Sequence, residues 1–136
     1  MTTEVLLVPD PAEARVWRPR LLLVVATTIT VGGAFGPWLA GKLSGDSAGV
    51  SLGGDGWILV VAAGLAVAPA LFGGIHAAIG IWVVLNAIVG GFVCLVHLQQ
   101  AQRDGFRNGW GLYVAAAGCA ALAAAGWQWL RAASRD

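Results

Sequence analysis

The segment from Gly56 to Gln102 runs for forty-seven residues without an Asp, Glu, Lys or Arg. A bilayer core about 30 Å thick is crossed by ~20 apolar residues of helix, so the segment is long enough for two crossings and a tight turn. A charged side chain at mid-membrane costs roughly 2.5–3.5 kcal/mol on insertion scales. Only 11% of the chain is charged, against ~25% in soluble domains, and mean hydropathy is +0.77. The sequence therefore predicts an integral membrane protein.

The apolar stretches predict an all-α fold, a four-helix transmembrane bundle. We expect spans at about residues 20–40, 56–73, 75–98 and 110–130, with a short tail at 132–136. Asp55 is placed to cap the second helix, Pro69 to kink or end it, and Gly73-Gly74 to turn the chain into the third.

Residues 1–19 form a polar N-terminal segment with two open interpretations. Asp10-Pro11-Ala12-Glu13 has the pattern of a helix start, and Trp17 follows among arginines. A short helix lying at the headgroups would fit, with Pro19 disturbing it, and so would a disordered tail. The next apolar run has the position of a signal peptide but is too long for one, so we expect a retained helix.

Basic residues orient the bundle. If both termini are cytoplasmic, five of the eight basic residues lie inside (Arg15, Arg18, Arg20, Arg131, Arg135) and three outside (Lys42, Arg103, Arg107). The sequence thus predicts a bacterial plasma membrane protein with two extracytoplasmic loops, 41–55 and 99–109. Six of the seven tryptophans fall at predicted helix ends, where an indole prefers the interface: Trp17, Trp38, Trp57, Trp110, Trp127 and Trp129.

Small residues recur at four-residue spacing in every predicted span, which lets helix backbones approach closely. They are Gly32 and Gly36, Gly64 and Ala68, Ala87 and Gly91, and Ala116, Ala120 and Ala124. Packing inside the bundle is one use of these stripes. Contact with another protein is the other, because a chain of 136 residues has little interior of its own.

Few residues in the spans could carry chemistry. His76 and His97 are ~31 Å apart along one helix, so they cannot share a haem or a metal ion. Asn86, near the middle of the third span, predicts an interhelical hydrogen bond, with a substrate contact as the alternative. Cys94 and Cys119 lie in apolar runs without a C-x-x-C motif, which favours buried free thiols. We expect no catalytic residues, cofactor or metal, and the net charge of +1 favours no nucleic acid.

The two outer loops carry opposite charges. Asp46 and Asp55 belong to the first loop, and Arg103 and Arg107 to the second. A salt bridge between the loops is the plain interpretation, and a docking patch for an extracytoplasmic partner is the second.

A resemblance to a known group of proteins rests on three short segments of the chain. They are Phe35-Gly36-Pro37-Trp38, Val50-Ser51 through Gly54-Asp55-Gly56, and Gly109-Trp110-Gly111-Leu112-Tyr113. Together they resemble a group of small four-span membrane proteins of high-GC bacteria. That resemblance covers the chain from Arg18 onward and implies the same four-span fold, but no activity. The basic cytoplasmic turn of such proteins is replaced here by Gly73-Gly74-Ile75-His76.

We predict a non-catalytic accessory or assembly subunit of a larger membrane complex. The prediction rests on the small-residue stripes, the few polar residues within the spans and the lack of a cluster of reactive side chains. Its partners would be the lipid bilayer and other integral membrane subunits or a second copy. The alternative is a small homo-oligomeric carrier or channel with a polar path near Asn86. A third class, an enzyme or electron carrier, would need a cofactor held jointly with another chain through His76 or His97.

Overall fold

The described part of the protein is built of α-helices, as predicted. The computed structural model describes residues 11–40, 47–48, 54–73, 76–105 and 107–135. Its helices are α1 (Pro11–Phe35), α2 (Gly56–Phe72), α3 (Ala77–Arg103) and α4 (Trp110–Ala133). The pattern of long apolar runs therefore identified the number and order of the helices correctly within these residues.

The helix ends differ from the predicted spans. α1 begins at Pro11 and continues through Pro19, so the described residues contain no separate interfacial helix. Pro19, the ninth residue of the helix, has no N–H to donate to the carbonyl four residues earlier. α1 ends at Phe35, not at Ala40, because Pro37 disfavours a helical conformation at Gly36. Beyond the predicted third span, α3 continues to Arg103.

A small antiparallel sheet, which the sequence did not predict, lies directly after α1. Its strands are β1 (Pro37–Ala40), β2 (Ser47–Ala48) and β3 (Arg107–Asn108), in the order β2-β1-β3. β1 pairs Leu39 with Ser47 on one side and with Asn108 on the other. The backbone N–H of Gly109 also donates to the carbonyl oxygen of Trp38 at 2.7 Å. The central strand therefore ties both connecting loops to the end of α1.

Each helix buries one face, and the buried positions alternate at spacings of three and four residues. In α4 the series is Gly111, Ala115, Gly118, Leu122, Ala125 and Trp129. In α1 it is Pro19, Leu23, Ala26, Thr30 and Gly33, and in α3 it is Gly80, Val83, Ala87, Gly90 and Cys94. This alternation of three and four is typical of helices that cross at a shallow angle in left-handed bundles.

Contacts between helix ends establish an up-down-up-down bundle. The Arg20 side chain, near the start of α1, reaches the end of α2 at Gly73, and Asp55 at the start of α2 reaches His97 on α3. At the start of α3, Gly80 packs against Leu130 near the end of α4. Residue 11 and residue 135 are therefore at the same end of the bundle.

The outer surface of the bundle is rich in large apolar side chains, including Val61, Leu85, Ile88 and Phe92, each more than half exposed. Two helices, α3 and α4, are long and apolar enough to cross a membrane. α2 is apolar as well but has 17 residues.

Candidate functional site

A polar cluster lies where α2 begins, beside the sheet. The Nε2 atom of His97 and the Oδ2 atom of Asp55 are 2.9 Å apart. An ionised carboxylate can only accept a hydrogen bond, so Nε2 carries the proton and donates it. The Asp55 carboxylate is therefore used in holding α2 to α3, and its side chain does not cap α2 as the sequence predicted.

Trp38 completes this cluster and is buried in the bundle. Its indole ring lies edge-on to His97, with ring centroids 5.0 Å apart. The indole N–H donates to the carbonyl oxygen of Gly33 at 3.0 Å, within the last turn of α1. A buried indole needs such a partner. Pro37 has no N–H to donate to the Gly33 carbonyl, which accepts from the indole and from the Gly36 N–H at 3.1 Å.

The predicted outer-loop docking residues are only partly brought together. Asp46 lies outside the described residues. Arg103 and Arg107 are exposed, Arg103 in the last turn of α3 and Arg107 in β3. Among the described residues, Asp55 pairs with His97 and not with either arginine. The cluster can position helices and offer a charged surface. The described residues contain no group of three or more His, Cys, Asp or Glu side chains that could hold a metal ion.

The closest helix contact joins α1 to α4 through glycines, most of which the predicted stripes missed. A Cβ added at Gly111 would lie 2.5 Å from the carbonyl carbon of Gly36. One added at Gly33 would collide with the backbone of Ala115, and one at Gly118 with Thr30. Thr30 is fully buried there, and its hydroxyl donates to the carbonyl oxygen of Ala26 at 2.9 Å.

A second set of glycines holds α3 against α4. A Cβ at Gly80 would come within 2.7 Å of the Leu130 side chain, and one at Gly126 within 2.8 Å of Val84. Gly90 leaves room in the same way for the Cys119 sulfur. The signal that could have found these residues is the three-and-four alternation of small residues along α4, not a four-residue spacing alone.

Most of the predicted small residues face outward instead. Only Gly36 and Ala87 are buried, while Gly91 and Ala116 are half-buried. The exposed ones are Gly32, Gly64, Ala68, Ala120 and Ala124. A Cβ added at Gly32, Gly64 or Gly91 would meet nothing within 4 Å, so packing in this chain does not require a glycine there.

Several of these outward residues line an open groove between α3 and α4, of about 320 Å³. Gly91, Ala116 and Ala120 form part of its wall, so this α3–α4 groove is shallow and almost entirely apolar. Cys94 and Cys119 line it too and belong to the same buried cluster. Both are free and buried, as the sequence predicted.

Asn86 does not make the predicted interhelical hydrogen bond. Its Nδ2 atom donates to the carbonyl oxygen of Trp82, one turn earlier in α3, at 2.8 Å. The side chain is half-buried at the edge of a second groove of about 410 Å³, between α2 and α3. The other residues lining this α2–α3 groove are apolar, among them Trp57, Val61 and Leu65.

The interhelical bond in this region comes from Trp82. Its indole N–H donates to the carbonyl oxygen of Leu65 on α2 at 2.9 Å. Leu65 precedes Pro69 by four residues, and proline has no N–H to give to that carbonyl. The indole therefore supplies the hydrogen bond that Pro69 takes away, which explains why α2 continues to Phe72.

The opposite end of the bundle is basic, and we call it the arginine end: Arg18, Arg20, Arg131 and Arg135. The Nη2 atom of Arg20 donates a hydrogen bond of 3.1 Å to the carbonyl oxygen of Gly73, directly after the end of α2. A cation is favoured at the C-terminal end of a helix because of the helix dipole. Arg131 lies over the ring of Trp127 at 5.3 Å. Trp129, near the same end of α4, is fully buried. Asp55 and Asp104 lie at the sheet end, where Arg103 and Arg107 are exposed as well.

No protein-family model, curated protein or solved structure shows significant similarity to this chain.

Proposed function

We propose that this chain is a plasma membrane protein whose four helices all cross the bilayer, with both termini in the cytoplasm. Two of its helices are long and apolar enough to span, and large apolar side chains cover its outside. The arginine end would face the cytoplasm, in keeping with the preference of Lys and Arg for that side. α2 is ~26 Å long, close to the thickness of the hydrocarbon core.

Within the membrane we propose the role of a non-catalytic accessory or assembly subunit. The observation that carries it is the outward placement of small residues that the chain does not need for its own packing. In lipid, helices associate through close backbone contact, so a groove walled by Gly91, Ala116 and Ala120 suits a helix of another subunit.

Filling the α3–α4 groove tests this role. Ala120→Leu places a branched side chain in the groove, and Ala117→Leu makes the same change at an exposed position of α4 that does not line it. After extraction of the tagged protein in a mild detergent, we expect the wild type and Ala117→Leu to elute with a partner subunit. Ala120→Leu should lose most of that partner while keeping its own helix content.

Elution of the wild type as a lone monomer would count against the role, as would equal retention of the partner by both variants. The alternative function, a small homo-oligomeric carrier with a polar path near Asn86, would need a second copy to enclose the path. Asn86 lies at the outside of the bundle, so one chain alone cannot surround it.

A further inference from the structure

Asn86 occupies an unusual position for a polar side chain in a membrane helix. It lies ten residues after His76 and eleven before His97, which places it about 15 Å from each. If α3 spans the bilayer as proposed above, Asn86 is at the midplane. Polar side chains at that depth normally face the interior of a bundle, because lipid offers them no hydrogen-bond partner. Here the side chain faces an open groove.

The side-chain amide of Asn86 uses only part of its hydrogen-bonding capacity. The acceptor of its one hydrogen bond is a backbone carbonyl, so the group facing Trp82 must be the NH2. Within the described part of the chain, this leaves the second N–H and the Oδ1 atom open to the α2–α3 groove. The amide therefore presents one donor and one acceptor toward whatever covers the groove.

We propose that the α2–α3 groove binds a second copy of this chain, with the two Asn86 amides hydrogen-bonded to each other across a two-fold axis. A two-fold axis along the membrane normal brings each residue opposite its own copy at the same depth. One donor and one acceptor on each side then satisfy both amides. A different partner would need its own polar side chain at the midplane.

The groove has the apolar surroundings that such a contact requires. Val61 and Leu65 on α2 and Val89 on α3 are each about half exposed or more around the amide. These side chains would pack against their copies and exclude lipid from the paired amides. The α3–α4 groove lies on the other side of α3, so this contact leaves it open for the accessory role.

Photo-crosslinking in living cells identifies what covers the groove. A photoreactive amino acid is placed at Val61 in the groove or at Val25, which is similarly exposed on α1. We expect an adduct of twice the chain mass from position 61 and little from position 25. An adduct of any other mass, an adduct with lipid alone, or equal dimer yields from both positions would overturn the proposal.

Association is measured by energy transfer between labelled copies of the full chain in phosphatidylethanolamine and phosphatidylglycerol vesicles. Asn86→Leu should weaken association by about 10- to 1,000-fold, the range of the two reciprocal interhelical hydrogen bonds that it removes. Thr28→Val is the control, because Thr28 is an exposed polar residue on α1 that also bonds to a carbonyl of its own helix. Unchanged association in Asn86→Leu, or equal weakening by both variants, would overturn the amide contact.

The inference depends on the membrane-spanning part of the proposed function, and the two fail differently. A position-61 adduct with another membrane protein would refute the second copy and support an accessory role. Recovery of the chain in the soluble fraction would refute the transmembrane proposal itself.

Discussion

At the scale of single residues, hydrogen bonds explain why two of the tryptophans are placed as they are. Trp38 and Trp82 donate to the carbonyl groups of Gly33 and Leu65, each four residues before a proline that has no N–H to donate. The Gly33 carbonyl also accepts from the backbone N–H of Gly36. Trp129 is buried and has no partner for its Nε1 atom within the described residues. The preference of an indole for the interface predicted that Trp38 and Trp129 lie near helix ends, but it did not predict that both side chains are buried in the bundle.

The bond between Trp82 and Leu65 predicts an energetic coupling to Pro69. Trp82→Phe should lower the free energy of unfolding by about 0.5–1.5 kcal/mol, because the Leu65 carbonyl loses its donor. In a Pro69→Ala background the new backbone N–H can reach that carbonyl, so the same substitution should cost less. A double-mutant cycle on equilibrium unfolding in mixed micelles measures the difference.

Trp57→Phe is the matched control, since Trp57 is similarly exposed at the α2–α3 groove and the described residues give its indole no bond. It should have the same effect in both backgrounds. If Trp82→Phe costs as much in the Pro69→Ala background as in the wild type, the proposed compensation is wrong.

At the scale of helices and strands, the number and order of the helices could be predicted from the sequence. Which face of each helix is buried could not. Lipid is as apolar as Leu, so hydrophobicity does not distinguish an inward residue from an outward one. Neighbouring glycines are equally hard to assign to a face. Gly33 packs against α4 while Gly32 has no neighbouring atom within 4 Å of an added Cβ, and Gly90 packs against Cys119 while Gly91 lines a groove. The sheet was missed because Pro37–Ala40 continues the apolar run of α1 and its partner strands have two residues each.

One crowded glycine of α4 and one glycine of α1 with open space around it give a direct test. Gly111→Ala should destabilise the protein by about 1–3 kcal/mol, because its methyl group would overlap the backbone of Gly36. Gly32→Ala, with open space around it, should stabilise the helix by about 0.5–1 kcal/mol. Loss of helical circular dichroism during unfolding in mixed micelles measures both. Effects of the same sign and size would contradict the described α1–α4 contact.

At the scale of the whole molecule, the distribution of charge predicts an orientation. Arg18, Arg20, Arg131 and Arg135 lie at the arginine end, whereas Arg103 and Arg107 lie at the sheet end beside Asp55 and Asp104. The candidate polar cluster of His97, Asp55 and Trp38 could not be predicted, because its members come from three separate parts of the chain. Only the fold brings them together.

Labelling with a membrane-impermeant maleimide tests the orientation. Asp104→Cys at the sheet end should react in intact cells, and Ser134→Cys at the arginine end should react only after permeabilisation. Both positions are exposed, and the native thiols of Cys94 and Cys119 are buried. The opposite pattern would invert the proposed topology, and reaction of both positions in intact cells would exclude four crossings.

The central position of β1 has a mechanical consequence. This strand is continuous with α1 and is hydrogen-bonded to residues of both loops, so neither loop can be displaced without pulling on the same helix. In the topology proposed above, a force applied to either loop would be transmitted along α1 toward Arg20 and its bond to Gly73. α1 would then connect the two surfaces of the membrane through contacts at both of its ends.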